Sequence, residues 1–176
     1  MGAWSIRFIR SRDQARLAKL LGPKDTLLAA DGSPFTGVRL GQPTFEPQDL
    51  ATLSSAFGEV VAFAVQTVAD LVLYDHWVAG ARVRGLTFAG EAGWVRVVGS
   101  PEPWEKPFLF SATRFAELLS ELEEDCTDEE MLTRDSDELR RLWGEAELEE
   151  GNPCPPVQLS GLLRAVTCHF GISTKL

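Results

Sequence analysis

Residues 59–98 read EVVAFAVQTVADLVLYDHWVAGARVRGLTFAGEAGWVRVV, and the spacing of apolar residues along them decides the fold class. The first run, EVVAFAVQT, is continuously apolar, which suits a strand covered on both faces. The next, ADLVLYDHWV, alternates: Leu71, Leu73 and Asp75 fall on one side, Val72, Tyr74 and His76 on the other. Ala79-Gly80 reads as a hairpin turn into ARVRGLTF, and the stretch from Gly90 to Gly93 turns the chain into WVRVVG. Four strands joined by such short loops are expected to pair antiparallel in order, with Val61, Phe63 and Val65 among the most buried residues.

Beyond this meander the apolar period changes to a helical one. Phe115, Leu118, Leu119 and Leu122 share one stripe, Thr127 with Glu130 forms a capping box, and Leu139, Leu142 and Trp143 mark an amphipathic helix ending near Gly144. A last helix, capped by Ser160, aligns Leu159, Leu163, Val166 and Phe170 and stops at Gly171. Upstream, Trp4, Ile6 and Phe8 suit a short strand, Ser11 and Gln14 a capping box for a helix through Leu21, and Gly22-Pro23 its stop. Turn residues punctuate 23–47 around the possible strands TLLAA and GVRL, and a helix follows from Pro47 to Phe57. The pattern predicts an α+β protein: a mostly antiparallel β-meander sheet with helices packed on one face, the three C-terminal ones among them. The 176 residues, 44% of them apolar, suffice for one core and argue against two, so residues 1–176 are expected to form a single domain. Residues 1–50 are either part of that core or an N-terminal extension of it.

Composition narrows the classes further. The first ten residues, MGAWSIRFIR, lack a secretory signal and, with Ile6, a myristoylation site, and no apolar run approaches bilayer length. Cys126, Cys154 and Cys168 are odd in number and widely spaced, which suits reduced thiols better than a disulfide framework. A cytoplasmic protein without membrane contact is the expectation, and 13 Arg against 4 Lys fits a GC-rich bacterial genome. The net charge of −9 is unevenly laid out: residues 117–150 hold 15 Asp and Glu against three Arg, whereas the remaining chain is net basic. Residues 1–24 alone carry Arg7, Arg10, Arg12, Arg16, Lys19 and Lys24 against Asp13. Clustered like charge speaks to partner choice and association rate.

One stretch joins the sheet to the helices: GSPEPWEKPFLF, residues 99–110. Its prolines at 101, 103 and 107 remove backbone donors and hold their neighbours extended, making a stiff connector. Glu102 and Glu105 would suit a carboxylate pair for acid and base catalysis. The plainer expectation is that Trp104 plugs the end of the sheet while the glutamates face water. With the strand patterns before it, LRRLW and the closing AVTCHFG, this stretch resembles a group of bacterial proteins sharing a Gly-x-Pro-Glu-Pro-Trp-Glu signature. The resemblance covers roughly residues 55–172; it implies a shared fold and no substrate.

Other candidate chemistry is thin. Asp70, Asp75, His76 and Asp128 raise a metal or hydrolase site, yet Asp75 and His76 are strand neighbours and point to opposite faces without a bulge. Asp75 and His76 are expected to make a polar strand end. Cys168 and His169 diverge by about 100° on a helix and cannot act as nucleophile and base; Cys168 reads as a small buried hydrophobe and His169 as a histidine at the rim of the core. Cys126, Cys154, Cys168 and His169 lack the spacing of a zinc site. Gly90-Glu91-Ala92-Gly93 is not a phosphate loop, and the basic N-terminal helix lacks the interleaved aromatics of a nucleic-acid binder. Neither a cofactor, a metal nor a nucleic acid is expected. The leading functional reading is a non-enzymatic interaction module, immunity- or inhibitor-like, in which Glu123, Glu124, Glu129 and Glu130 present an acidic surface to a basic protein. The alternative is an enzyme or small-molecule binder using Asp75, His76, Glu102, Trp104 and Glu105 at the edge of the meander.

Overall fold

A computed structural model of the chain describes residues 2–28, 32–42, 45–151 and 159–172. Among these residues seven strands, β1 (Ala3–Ile9), β2 (Thr26–Leu28), β3 (Thr36–Arg39), β4 (Glu59–Gln66), β5 (Leu71–Val78), β6 (Ala81–Ala89) and β7 (Trp94–Gly99), form one sheet in the order β2-β3-β1-β4-β5-β6-β7. Every neighbouring pair is antiparallel. Helices α1 (Gln14–Ala18) and α2 (Pro47–Phe57) lie between the early strands, and α3 (Glu105–Leu109), α4 (Ala112–Asp125), α5 (Glu129–Glu145) and α6 (Leu159–His169) follow the sheet. The protein is α+β, with the expected four-strand meander from β4 to β7. Val61, Phe63 and Val65 are all at most 3% exposed.

Residues 3–39 supply three of the seven strands, and β1 is inserted centrally, paired with β4 from Ala3↔Gln66 to Ile9↔Val60. The continuous apolar run of β4 follows from this position, because both its faces are covered. One face carries the larger cluster, in which Ile6, Phe8, Phe63, Tyr74, Leu86 and Trp94 meet Trp104, Leu109, Leu162 and Val166. The other carries Ile9, Val60, Ala62, Ala64 and Trp77 beneath Leu17 of α1 and Leu50 of α2. Of the helices that follow the sheet, α3 and α6 pack on the first face, and α1 and α2 close part of the other, so the helices are not confined to the one face expected.

Local signals explain the joints. Ala79 and Gly80 both have positive φ, 49° and 86°, as a type I′ hairpin requires, and a Cβ on Gly80 would sit 2.4 Å from Ser55 Oγ. At the end of β7, Gly99 has φ of 82° and leaves no room for a side chain, since a Cβ would fall 1.9 Å from the Val83 carbonyl oxygen. Only glycine can turn the chain from β7 into the PEPWE segment here. Two caps differ from the expected ones: Asp13, two residues after Ser11, caps α1, accepting from Arg16 N at 2.9 Å, and Asp128, one residue after Thr127, caps α5, accepting from Glu130 and Met131 N. Each carboxylate stands where it reaches the free N–H groups of the first turn, while the Ser11 hydroxyl accepts from Asp13 N at 3.1 Å. The helix starting at Leu159 is present; the Ser160 side chain and Cys154 lie outside the described residues.

Candidate functional site

The alternation of β5 and β6 sets polar groups on the larger-core face. His76 and Tyr74 of β5 point there, and the register places Arg84 opposite His76 and Leu86 opposite Tyr74. The PEPWE segment lies over these residues. Arg84 and Glu105, 1% and 2% exposed, form a bidentate pair, Nε to Oε1 at 2.8 Å and Nη2 to Oε2 at 2.5 Å, while Arg84 Nη1 donates to the Gly99 carbonyl at 2.6 Å. Glu105 Oε1 also accepts from the backbone N–H of Glu102 at 2.9 Å. Glu102 in turn accepts from the Tyr74 hydroxyl and from Trp104 Nε1 at 2.6 Å on one oxygen, and its other oxygen meets His76 Nδ1 at 2.5 Å. His76 Nε2 lies 3.0 Å from Glu59 Oε1, and Glu59 Oε2 is 2.6 Å from Arg10 Nε. The chain of contacts runs from exposed Arg10 to buried Arg84.

The electrostatics follow from this satisfaction. Burial opposes ionisation of Glu102, but hydrogen bonds with His76, Tyr74 and Trp104 outweigh it and hold the carboxyl below its ordinary value. Burial raises the Tyr74 hydroxyl well above its ordinary value, with the Glu102 charge adding to it. Burial also raises the Glu105 carboxyl, against the pull of Arg84. Trp104 is 4% exposed and stands edge-on to Tyr74 with ring centres 5.4 Å apart.

This arrangement corrects the sequence reading of the PEPWE segment. Trp104 is buried as a plug, yet Glu102 and Glu105 are drawn under with it and do not face water. Leaving either carboxylate in solvent would strand the Arg84 guanidinium or the Tyr74 and Trp104 donors inside, which costs more than burying matched partners. Asp75 is separated from this group, on the opposite face of β5. It is buried: 1% exposed, it pairs with Arg82 at 3.0 Å and Arg96 at 3.3 Å, and burial raises its carboxyl despite both cations. Of the sequence candidates, His76, Glu102, Trp104 and Glu105 come together. Tyr74, Arg84, Glu59 and Arg10 join them without having been singled out; the readable signal was Arg84, a charge at an inward position of the series 84, 86, 88.

The C-terminal candidates divide similarly. His169 is exposed, its ring edge-on to Phe170 at 4.8 Å, and Phe170 packs in turn on His76 at 4.9 Å. Cys168 is exposed, not buried: Leu162, Leu163, Val166 and Thr167 take the inward stripe of α6, and the next position turns to solvent. Cys126 is half-buried, its thiol directed at the Asp128 carbonyl. Among the described residues no three His, Cys, Asp or Glu side chains converge to hold a metal ion, and no helix is long and apolar enough to cross a membrane.

Glu123, Glu124, Glu129 and Glu130 occupy a second region, the hairpin of α4 and α5. No residue of α4 is fully buried, and α5 buries only Ser136 and Leu142. The hairpin is pinned near its base by Trp143, whose indole N–H donates to the Ser111 carbonyl at 3.0 Å and whose ring packs on Phe110 and Phe115. Around that base the acids have cations: Glu117 and Glu121 with Arg114, Asp137 with Arg140, and Glu138, Glu145 and Glu149 with Arg141. At the tip, Glu123, Glu124, Asp125, Asp128, Glu129 and Glu130 form no ion pair among the described residues. Among the described residues two open hollows of about 420 Å³ lie by β1 and β3. The one floored by Arg7 sets Arg7 and Lys24 against Asp25, Glu46 and Asp49, so its wall carries both signs of charge.

No family model, no curated protein and no solved structure matches this chain.

Proposed function

We propose that the chain is a non-enzymatic, cytoplasmic bacterial interaction module, immunity- or inhibitor-like, whose α4–α5 tip meets a basic protein surface. The observation that carries this reading is the division of the acidic segment. Its base pairs seven carboxylates with Arg114, Arg134, Arg140 and Arg141, whereas six exposed carboxylates at the tip form no ion pair among the described residues. Like charges held together without compensation repel, and a complementary cationic surface would relieve that repulsion. The carboxylates do not converge on a point, a geometry that suits an extended basic surface over a single cation. The competing reading, a carboxylate-based enzyme, has less support: Glu102 and Glu105 spend their acceptors on His76, Tyr74, Trp104 and Arg84.

The test begins with co-purification from the native cell and mass spectrometry, followed by kinetics with the purified partner. Reversing Glu123, Glu124, Glu129 and Glu130 to lysine is expected to cut the association rate at least tenfold, as electrostatic steering allows. The wild-type rate should fall with added salt as charges beyond a Debye length of about 8 Å are screened. A partner that binds the quadruple variant at an unchanged, salt-independent rate overturns the proposal.

A further inference from the structure

Arg84 and Arg7 both stand at inward positions of the sheet, and they are satisfied very differently. Arg84 engages Glu105 in a bidentate pair and donates to the Gly99 carbonyl. Arg7 shares its face of β1 with Ser5 and Ile9, paired with Val38 of β3 and Ala62 of β4. Its side chain is only 15% exposed. Yet among the described residues it forms one ion pair, Nη2 to Asp49 Oδ2 at 3.4 Å, and its Nε is buried without a hydrogen-bond partner. A guanidinium carries five N–H donors, and desolvating donors that find no acceptor is costly. Burial holds this group below its ordinary value, against the opposing pull of Asp49 and Asp25.

Arg7 floors an open hollow of about 420 Å³, at the small end of ligand pockets, which run from about 300 to 1,000 Å³. Part of its frame is clamped. Asp25 accepts from Gly22 N at 2.9 Å on one oxygen and from Gly41 N at 2.8 Å on the other, tying the turn after α1 to the chain that leaves β3. The other charged groups of the wall are available: Lys24 and Glu46 form no ion pair among the described residues, and Asp49, 57% exposed, holds Arg7 by a single contact. Leu20, Leu40 and Phe45 supply an apolar wall beside them.

We propose that this hollow binds a small zwitterion, an α-amino acid with an apolar side chain: its carboxylate lies on Arg7 and Lys24, its ammonium against Glu46 and Asp49, and its side chain along Leu20, Leu40 and Phe45. Charge decides between the ligand classes. With Asp25 engaged by backbone, Arg7 and Lys24 face Glu46 and Asp49 across the hollow. A simple anion is repelled by the two acids and a simple cation by the two bases, whereas a zwitterion meets both. The fork of a guanidinium matches a carboxylate with two parallel N–H donors, which supplies the acceptors that Arg7 lacks. The site lies among the N-terminal elements and does not depend on the function proposed for the acidic hairpin.

The test uses the full chain with L-leucine as probe, and with 4-methylpentanoate and 3-methylbutylamine as the same molecule without its ammonium or without its carboxylate. Titration calorimetry is expected to show saturable binding of L-leucine with a Kd of about 1 mM or tighter, and about tenfold or more tighter than either analogue. Arg7→Lys keeps the charge and removes the fork, and is expected to weaken leucine binding by about tenfold or more. In the unsubstituted chain the Arg7 Nε–H resonance, assigned by its loss in that variant, should shift as L-leucine saturates. Lys24→Met alters an exposed side chain and is expected to weaken binding severalfold with urea unfolding unchanged. The assignment is overturned by a failure of L-leucine to saturate the chain below about 10 mM, by an analogue that binds as tightly, by leucine affinity unchanged in Lys24→Met, or by an Arg7→Lys variant that folds and binds as before.

Discussion

Glutamate has opposite meanings in two regions of this molecule. Glu102 and Glu105 lie under the PEPWE segment, each carboxylate oxygen engaged by a donor from the sheet, the loop or the Trp104 ring. Glu123, Glu124, Glu129 and Glu130, some 20 to 30 residues further on, have no ion-pair partner among the described residues and lie exposed. The first pair is held by desolvation: once buried, a charge tolerates only a complete set of partners. The second set is held by nothing tertiary, so its charge remains free to act on other molecules. What separates the regions is burial, not residue type.

Breaking the buried region should give the largest effects. Arg84→Ala leaves the Glu105 carboxylate buried without its cation and is expected to cost about 3 to 5 kcal/mol in urea unfolding. Trp104→Ala removes a core aromatic at a similar cost, about 3 to 5 kcal/mol. Trp104→Phe sharpens the point by keeping most of the ring and deleting only the donor to Glu102, for which about 1.5 to 3 kcal/mol is expected. A thermal melt unchanged by Trp104→Ala would mean that the ring does not plug the sheet.

Acid should act on the same region with a definite sign. Glu102 has a folded-state value below its ordinary 4.5, so its contribution to stability is present above that ordinary value and is lost as pH falls toward the depressed one. Glu105 and Asp75, raised by burial, oppose this: they favour the folded state below their unfolded values, and that gain is lost as pH rises through the raised ones. Glu102→Gln is therefore expected to flatten the loss of stability below about pH 4.5, measured as urea unfolding free energy at successive pH values. An acid limb as steep as in the unsubstituted protein would assign the loss to other carboxylates.

The hairpin tip should respond least. The quadruple lysine variant is expected to shift unfolding by no more than about 1 kcal/mol, since exposed substitutions typically do little and the only systematic loss is the favourable placement of Glu129 and Glu130 in the first turn of α5. A loss of several kcal/mol would show that the tip is packed in the folded protein and would remove the contrast between the regions.

The sequence by itself determined the meander strands and most of the helices; it did not show α3, which takes Lys106 into a helix where Pro107 is expected to hold it extended. Period-two alternation from Leu71 to Val78, the continuous apolar run of β4, and Pro47 with Gly58 around α2 are local patterns, and local sterics and burial suffice to read them. It also placed His76 and Asp75 on opposite faces, because that is a property of any strand. Only the tertiary structure decided that β1 enters between β3 and β4, since the pairing of strands 50 residues apart depends on which apolar edges meet. Only it decided, too, that Glu102 and Glu105 are buried partners rather than solvated loop charges. A carboxylate is written the same way in sequence whether it faces water or Arg84. Its state follows from the distance and shielding of groups that the chain brings together only when the sheet has formed.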